Sequence, residues 1–354
     1  MTGRLPLTYA DIAAAAARIE GRVRPALVAP AAPTLLAATA ILGGPGAEPT
    51  AGTSTQGPHH GAGGPRTWLV LEHLQHTGSF KARGMANLLS AHQEQGTLPG
   101  AGVAIASGGN AGVACAWAAR AVGTHATVFL PASAPAAKAD RLGAFGAEVR
   151  FVEGEYADAA AACAHYAERS GALLGHAYDN TYVAAGAGTL LEEIRDRIPG
   201  LDTVIVAAGG GGLLAGTATA AHHHGIRTVA VEPEHSRAVQ AAIAADRLVD
   251  VPVDSIAADA LGARRATELA LHAARATALH SVLVPDRAIT AARQWLWDEW
   301  RIAAEHSGAT ALSALSAPAL DHAYGYRPAP GETVAVVVCG ANTDPADLTR
   351  GVPA

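Results

Sequence analysis

The chain has little of what secreted, metal-stapled or nucleic-acid-binding proteins use. Its 354 residues include three cysteines, Cys115, Cys163 and Cys339, an odd and scattered set that implies neither a disulfide framework nor a zinc site. Lysine and arginine number 25 against 31 acidic residues, a net charge of −6, which argues against nucleic acid or an anionic membrane as partner. The start, Met1 to Ala10, lacks a basic stretch leading into an apolar core. The run Ala13 to Ala17 is too short, and too closely flanked by Asp11, Arg18 and Glu20, for a signal or membrane segment. It reads as an amphipathic surface helix, and a cytoplasmic location is expected. With half its residues hydrophobic, the chain is long enough for one large core or two lobes.

What is present centres on Lys81, in the stretch Gln75-His76-Thr77-Gly78-Ser79-Phe80-Lys81-Ala82-Arg83-Gly84. Val70 to Leu74 before it reads as a short apolar strand, and Thr77-Gly78-Ser79 as a turn into a helix start. An amine at that junction, beside Phe80, is partly desolvated; desolvation lowers its pKa and frees the lone pair for Schiff-base chemistry. A lone lysine is more often an exposed helix residue, but a second segment changes the balance. Thr203 to Ala208 reads as a buried strand running into Gly209-Gly210-Gly211-Gly212, followed by a helix from Leu213 to Ala218.

Strand, glycine loop and helix together make an anion cradle. Glycines accept positive φ and let several N–H groups converge on one phosphate, and the helix amino terminus adds its dipole. The loop lacks the Lys-Ser/Thr ending of a Walker motif and the Gly-x-Gly-x-x-Gly spacing of a dinucleotide site. An imine-forming lysine paired with a phosphate cradle points to pyridoxal 5'-phosphate.

The chain resembles the fold-type II pyridoxal-phosphate enzymes of the serine/threonine dehydratase family, most of all the short serine dehydratase branch. Carrying the resemblance are Thr77-Gly78-Ser79-Phe80-Lys81-x-Arg83-Gly84, Ser107-Gly108-Gly109-Asn110-Ala111-Gly112, the four glycines, and Val338-Cys339-Gly340-Ala341-Asn342. It extends from the opening helix at Thr8 to Ile19 and the Ala32-Pro33-Thr34-Leu35 segment to the last strand, Val334 to Asn342. It implies two lobes in the manner of the tryptophan synthase beta chain, a large one from residues 1–74 and 181–354 and a small one from 75–180, with the ligand between them. A homodimer is expected.

Strands and helices alternate accordingly. Strands are expected at Val103–Ala106, Ala126–Leu130, Glu148–Val152, Arg227–Val231 and Val334–Cys339, with helices at Val113–Ala121 and Ala136–Gly143. This rhythm predicts parallel sheets with helices on both faces, binding at the carboxyl ends of the strands, where Ser107 and Gly209 lie. Gly43 to Pro65, rich in Gly, Pro, Ser and Thr, reads as a long mobile loop.

The loop Ser107-Gly108-Gly109-Asn110-Ala111 suits a carboxylate, through N–H groups at a helix start and the Ser107 hydroxyl; the plain alternative is a Ser/Asn cap on a helix beginning near Gly112. The resemblance assigns the loop to the substrate carboxylate and Asn110 also to the ring hydroxyl of the cofactor. It gives the phosphate to Gly209–Gly212 and Leu213, the ring faces to Phe80 and Ala260, and the pyridine nitrogen to Cys339, which by sequence alone is a buried structural cysteine. A neutral thiol there makes the ring a weaker electron sink and favours elimination. In members of the family that racemise, a second serine precedes the Gly-Asn pair; here that position is Gly108, which carries no proton. Glu232 matches a cation-binding glutamate, but Ala238 stands where divalent sites have an aspartate, so a monovalent ion such as K+ is the expectation, against a simple cap or a pair with Arg237.

His222, His223 and His224 before Gly225 suit a helix end, and His59 and His60 a solvated loop. Trp295, Trp297 and Trp300 suit helix packing or a subunit contact. The expected reaction is β-elimination from a β-hydroxy amino acid, L-serine, L-threonine or an analogue with a bulkier or acidic side chain. Lys81 would take the α-proton and the hydroxyl would leave with a proton from the phosphate, giving a 2-oxo acid and ammonia. The alternatives are β-replacement of the cysteine synthase kind and a catalytically silent cofactor-binding homologue. The chain ends soon after Cys339, so an isoleucine-binding regulatory domain is not expected.

Overall fold

A computed structural model describes residues 6–31, 64–277, 279–320 and 324–348. The expected loop at Gly43–Pro65 as far as residue 63, the Ala32–Leu35 segment, and His59 and His60 lie outside the described residues.

Two sheets organise the chain. The first takes β1 (Val28–Ala31), β2 (Arg66–Val70), β7 (Thr203–Ala207), β8 (Arg227–Pro233), β9 (Leu279–Val284) and β10 (Thr333–Val337), in the order β1-β2-β10-β7-β8-β9. Every pairing in it is parallel except β1 with β2. The second, fully parallel, takes β3 (Val103–Ala106), β4 (Ala126–Pro131), β5 (Glu148–Val152) and β6 (Leu173–Leu174), in the order β5-β4-β3-β6. β7 and β10 are buried along their whole length, which is why they read as unbroken apolar runs instead of alternating ones.

Helices cover the sheets. Around the second lie α2 (Lys81–Glu94), α3 (Asn110–Val122), α4 (Ala136–Ala144) and α5 (Tyr156–Ser170); around the first lie α1 (Tyr9–Ile19), α6 (Thr181–Arg197), α7 (Gly212–His223), α8 (Ala238–Ala245), α10 (Glu268–Ala276), α11 (Asp286–Trp300) and α12 (His306–Leu320). A single turn, α9 (Ala258–Leu261), connects α8 to α10. Ile19, Val23 and Val183 join the core between α2, α3 and the second sheet, so α1 and α6 bind the two layers together. The amphipathic helix expected near the start is α1, with Thr8 and Asp11 forming a reciprocal capping box and Ile12, Ala15 and Ile19 facing inward. Trp295 and Trp300 pack on the large core from α11. His223 stacks on Tyr9 and His224 bonds Glu192, a structural use of the histidine run at the end of α7.

Two expected boundaries are corrected. The strand read at Val70–Leu74 is β2, which ends at Val70; residues 72–74 instead form a 3₁₀ turn. The turn is needed because Glu72 must face inward to meet Arg83, while the His73 N–H turns to Val338 O at 3.0 Å. α3 begins at Asn110 and not at Val113, with Gly109 at its N-cap, so neither Ser107 nor Asn110 caps it.

Arg83 fixes the start of α2. Its side chain is fully buried, makes a two-pronged bond to Glu72 (2.8 Å each) and reaches Glu193 at 2.6 Å and Thr189 at 3.2 Å on α6. Arginine suits the place because its planar fork satisfies two carboxylates at once. Replacing it with alanine strands the buried Glu72 carboxylate. Arg83→Ala is therefore expected to lower unfolding free energy by about 3–5 kcal/mol in urea titration, and Arg83→Ala/Glu72→Leu to recover part of that loss.

Candidate active site

The carboxyl ends of β3, β7 and β10 and the amino ends of α2, α3 and α7 converge on one cleft of about 510 Å³, within the usual range for a small-molecule site. It is lined by Phe80, Lys81, the whole of Ser107–Ala111, Gly209–Gly212, Leu213, Ala260 and Cys339. Every residue expected at the site lies here except Glu232.

Three helices that open on the cleft share one property. α2, α3 and α7 begin at Phe80, Gly109 and Gly211 with no side chain capping them, whereas α1, α6 and α10 are capped by Thr8, Asn180 and Thr267. Among the described residues, no hydrogen bond uses the N–H groups of Gly209 to Leu213, nor those of Asn110 to Gly112. Unpaired N–H groups at helix amino termini accept anions, and here two such sets face one space. At Gly211 φ is +96°, and an added Cβ would stand 2.3 Å from Ala270 Cβ, so only glycine makes the loop.

Lys81 opens α2 and its Nζ donates to the Ala177 carbonyl at 2.8 Å, 4.9 Å from the Phe80 ring centre. Burial lowers its pKa to about 8, against the opposing pull of Cys339 and Glu305. A substantial neutral fraction is thus present near neutrality, which imine formation requires. Cys339 is buried, donates from Sγ to Ser307 O at 3.5 Å, and is held as a thiol because burial drives its pKa far up.

Other cleft residues are not among those expected in a site role. Tyr178 lies against the glycine loop so closely that a Cβ at Gly210 would be 2.2 Å from its ring. The His176 Nδ1 accepts from the N–H of Tyr178 at 3.3 Å and of Asp179 at 2.8 Å, shaping the turn that offers the Ala177 carbonyl to Lys81. Glu305, which precedes α12, is buried and receives Asn110 Nδ2 at 2.7 Å. Lys138 on α4 pairs with Asp259 on α9 at 3.0 Å across the cleft rim. Each of these meets the expected residues only in three dimensions.

Glu232 is fully buried at the end of β8, away from the cleft lining. Its two carboxylate oxygens accept from the N–H of Val239 at 2.8 Å and Gln240 at 2.7 Å, capping α8, and burial raises its pKa to about 8. Among the described residues, no group of three or more His, Cys, Asp or Glu is placed to hold a metal, and no helix is long and apolar enough to cross a membrane.

A desolvated amine, an N–H cradle and a buried thiol on parallel sheets define an enzyme built to hold a phosphorylated aldehyde. The chain belongs to the pyridoxal-phosphate dependent enzymes, whose family model matches residues 45–340. It is similar to the human protein "Serine dehydratase-like", 32% identical over 281 residues covering 78% of this chain and 84% of that protein. It is also similar to an L-threonine ammonia-lyase of Thermotoga maritima, 29% identical over 79% of this chain and 68% of the relative. Among solved structures, maize serine racemase superposes with a TM-score of 0.80 at 26% identity, covering 98% of this chain and 97% of the other. The fold is that of the fold-type II group.

The residues present fit the cofactor through the unpaired N–H groups and the neutral-leaning amine. Uptake of pyridoxal phosphate by cofactor-free protein, followed by its visible absorbance, is expected to quicken with pH around a midpoint of about 8. Lys81→Ala should abolish that band and its pH dependence. Gly211→Ala, strained by about 1–3 kcal/mol, should weaken cofactor binding at least severalfold.

Proposed function

We propose that the protein is an ammonia-lyase that removes the β-hydroxyl of L-serine, L-threonine or an analogue, yielding a 2-oxo acid and ammonia. The observation that carries this reading is Gly108. A side chain there would enter apolar ground, its Cβ 2.9 Å from Leu130 Cδ2 and 3.3 Å from Lys138 Cδ, while the Lys138 amine is turned to Asp259. Position 108 therefore offers no proton. The thiol at Cys339 supports the same reading, since a neutral partner withdraws less electron density than an acid.

Bound in the cleft, pyridoxal phosphate supplies an aldehyde that carries the substrate amine and a ring that draws electron density from Cα. The N–H groups opening α3, with the Ser107 hydroxyl, Gly108, Gly109 and Ala111, hold the substrate carboxylate. Gly209, Gly210, Gly211, Gly212 and Leu213 would hold the phosphate, Phe80 and Ala260 the ring faces, Asn110 the ring hydroxyl and Cys339 the ring nitrogen. Once displaced, the Lys81 amine serves as the base. Burial, which lowers its pKa in the cleft, favours the neutral form that can take the α-proton. The hydroxyl would leave Cβ as water, with a proton for which the cofactor phosphate is the expected source. Phe80 and Tyr178 keep the amine dry and the Ala177 carbonyl orients it.

The two-lobe division at 1–74 with 181–354 and at 75–180, a homodimeric state, a cytoplasmic location and a monovalent cation at Glu232 belong to the same proposal. Light scattering tests the second, and comparison of K+ with a bulky quaternary ammonium salt tests the last.

The decisive assay offers L-serine, L-threonine and other β-hydroxy amino acids and follows 2-oxo acid beside chiral analysis of the amino acid. Elimination is expected to exceed racemisation, because losing one acid/base group slows its step by roughly 10²–10⁴-fold. Faster formation of D-serine than of pyruvate would overturn the reading. Lys81→Ala should form neither product.

A further inference from the structure

We infer that Glu305 is a positioning residue for the proposed reaction, one that fixes the Asn110 amide as a hydrogen-bond donor toward the cleft. This rests on the reading above for what Asn110 meets, and on the structure for how it is held.

A side-chain amide can turn over, exchanging donor for acceptor, unless its neighbours forbid it. Asn110 sits in a chain of bonds whose two ends allow one polarity. At one end, the guanidinium of Arg141, which can only donate, bonds Asn342 Oδ1. That turns Asn342 Nδ2 outward, where it donates to the Thr77 carbonyl at 2.8 Å and to Asn110 Oδ1. At the other end stands Glu305, acceptor-only when ionised, taking Asn110 Nδ2 at 2.7 Å. Both ends agree, so Asn110 keeps its oxygen on Asn342 and its nitrogen on Glu305. One Nδ2 hydrogen is then left for a ligand in the cleft that Asn110 lines.

Glu305 is itself held for this purpose. Oε1 also accepts from Ser307 Oγ at 2.7 Å, and Oε2 accepts the Asn342 N–H at 3.3 Å. Its carboxylate fits because residue 340 is glycine: a Cβ there would lie 2.3 Å from Oε1. Burial raises its pKa, and the three bonds from Ser307, Asn110 and Asn342 work against that rise. A donor aimed into the cleft stabilises an oxyanion; an amide turned over would present an oxygen and repel one.

Glutamine at 305 separates polarity from shape. Both ends of the native carboxylate face donors, and the Asn342 N–H cannot turn over. Glutamine therefore puts its oxygen there and its NH2 against Asn110 and Ser307, so Asn110 Nδ2 loses its acceptor and meets a donor while Asn342 still holds the amide oxygen, and the Asn110 amide is no longer held at both ends.

The test uses the full chain reconstituted with pyridoxal phosphate, reading the visible band, its pH midpoint and cofactor affinity. Glu305→Gln is expected to move the band and midpoint and to weaken binding about tenfold, the scale of one lost charge-assisted bond. Asn110→Ala should do the same, the double variant should be no worse than Asn110→Ala, and Glu305→Asp should restore much of the native band. A wild-type band in Glu305→Gln, or additive losses in the double variant, overturns the inference. Should Glu305→Gln fail to fold by circular dichroism, Asn342→Ala decides: it leaves the carboxylate in place, so the native band is expected, and a band displaced as in Asn110→Ala overturns the inference. A wild-type chain that takes up no cofactor, or a Lys81→Ala variant with an unchanged band, sinks the proposed function along with it, so the two failures read apart.

Discussion

The buried guanidinium of Arg83 holds the site together. α2 begins at Lys81 without a side-chain cap, so nothing at its own first turn fixes where the amine emerges. Two residues on, Arg83 ties that turn to Glu72 beyond β2 and to Glu193 and Thr189 on α6. A buried pair of this kind is poor evidence of stability, since desolvating the ions offsets most of their attraction. Its service is geometric: strand exit, cleft helix and supporting helix meet at one planar group and keep one arrangement.

From that fixed point the cleft follows as an exercise in leaving backbone groups unsatisfied. Among the described helices α1, α6 and α10 close their first turn with Thr or Asn; α2, α3 and α7, which face the cleft, start from phenylalanine or glycine without a cap, as α4, α8 and α11 elsewhere also lack one. Unpaired N–H groups of this kind suit anionic ligand groups, which is the role proposed for them. Beside them Asn110 is bonded to Asn342 and Glu305, and Cys339 to a carbonyl. The site is rigid where polarity must be one-way and open where a ligand supplies the missing partner.

Much of this is legible in the order of residues alone. Lys81, the four glycines and Ser107–Ala111 announce themselves because each chemistry is carried by contiguous residues just after an apolar strand. Glu305 gives no such signal: it stands in a plain Ala-Glu-His-Ser stretch, and its meaning comes from Asn110, distant in sequence and adjacent in space. The same holds for Tyr178, which is defined by the bareness of Gly210. The end of β2 is easily misplaced because Val70 to Leu74 looks apolar at both ends, and the need to bury Glu72 against Arg83 is invisible locally. For Glu232, the local alternative of a cap describes its bonds to Val239 and Gln240, though nothing nearby in sequence points to the partner helix.

The strand order of the larger sheet carries a consequence for how the molecule is made. β10, the last strand among the described residues, lies between β2 and β7, paired in parallel with both. Until it is synthesised, those two strands present open edges toward a gap in the middle of the sheet. Long-range parallel pairing is slow, and open edges invite wrong partners. Because Cys339 and the Asn342 side chain that bonds Asn110 follow directly on β10, the same stretch that fills the centre of the sheet also completes the cleft lining, so a chain cut before β10 would lack both.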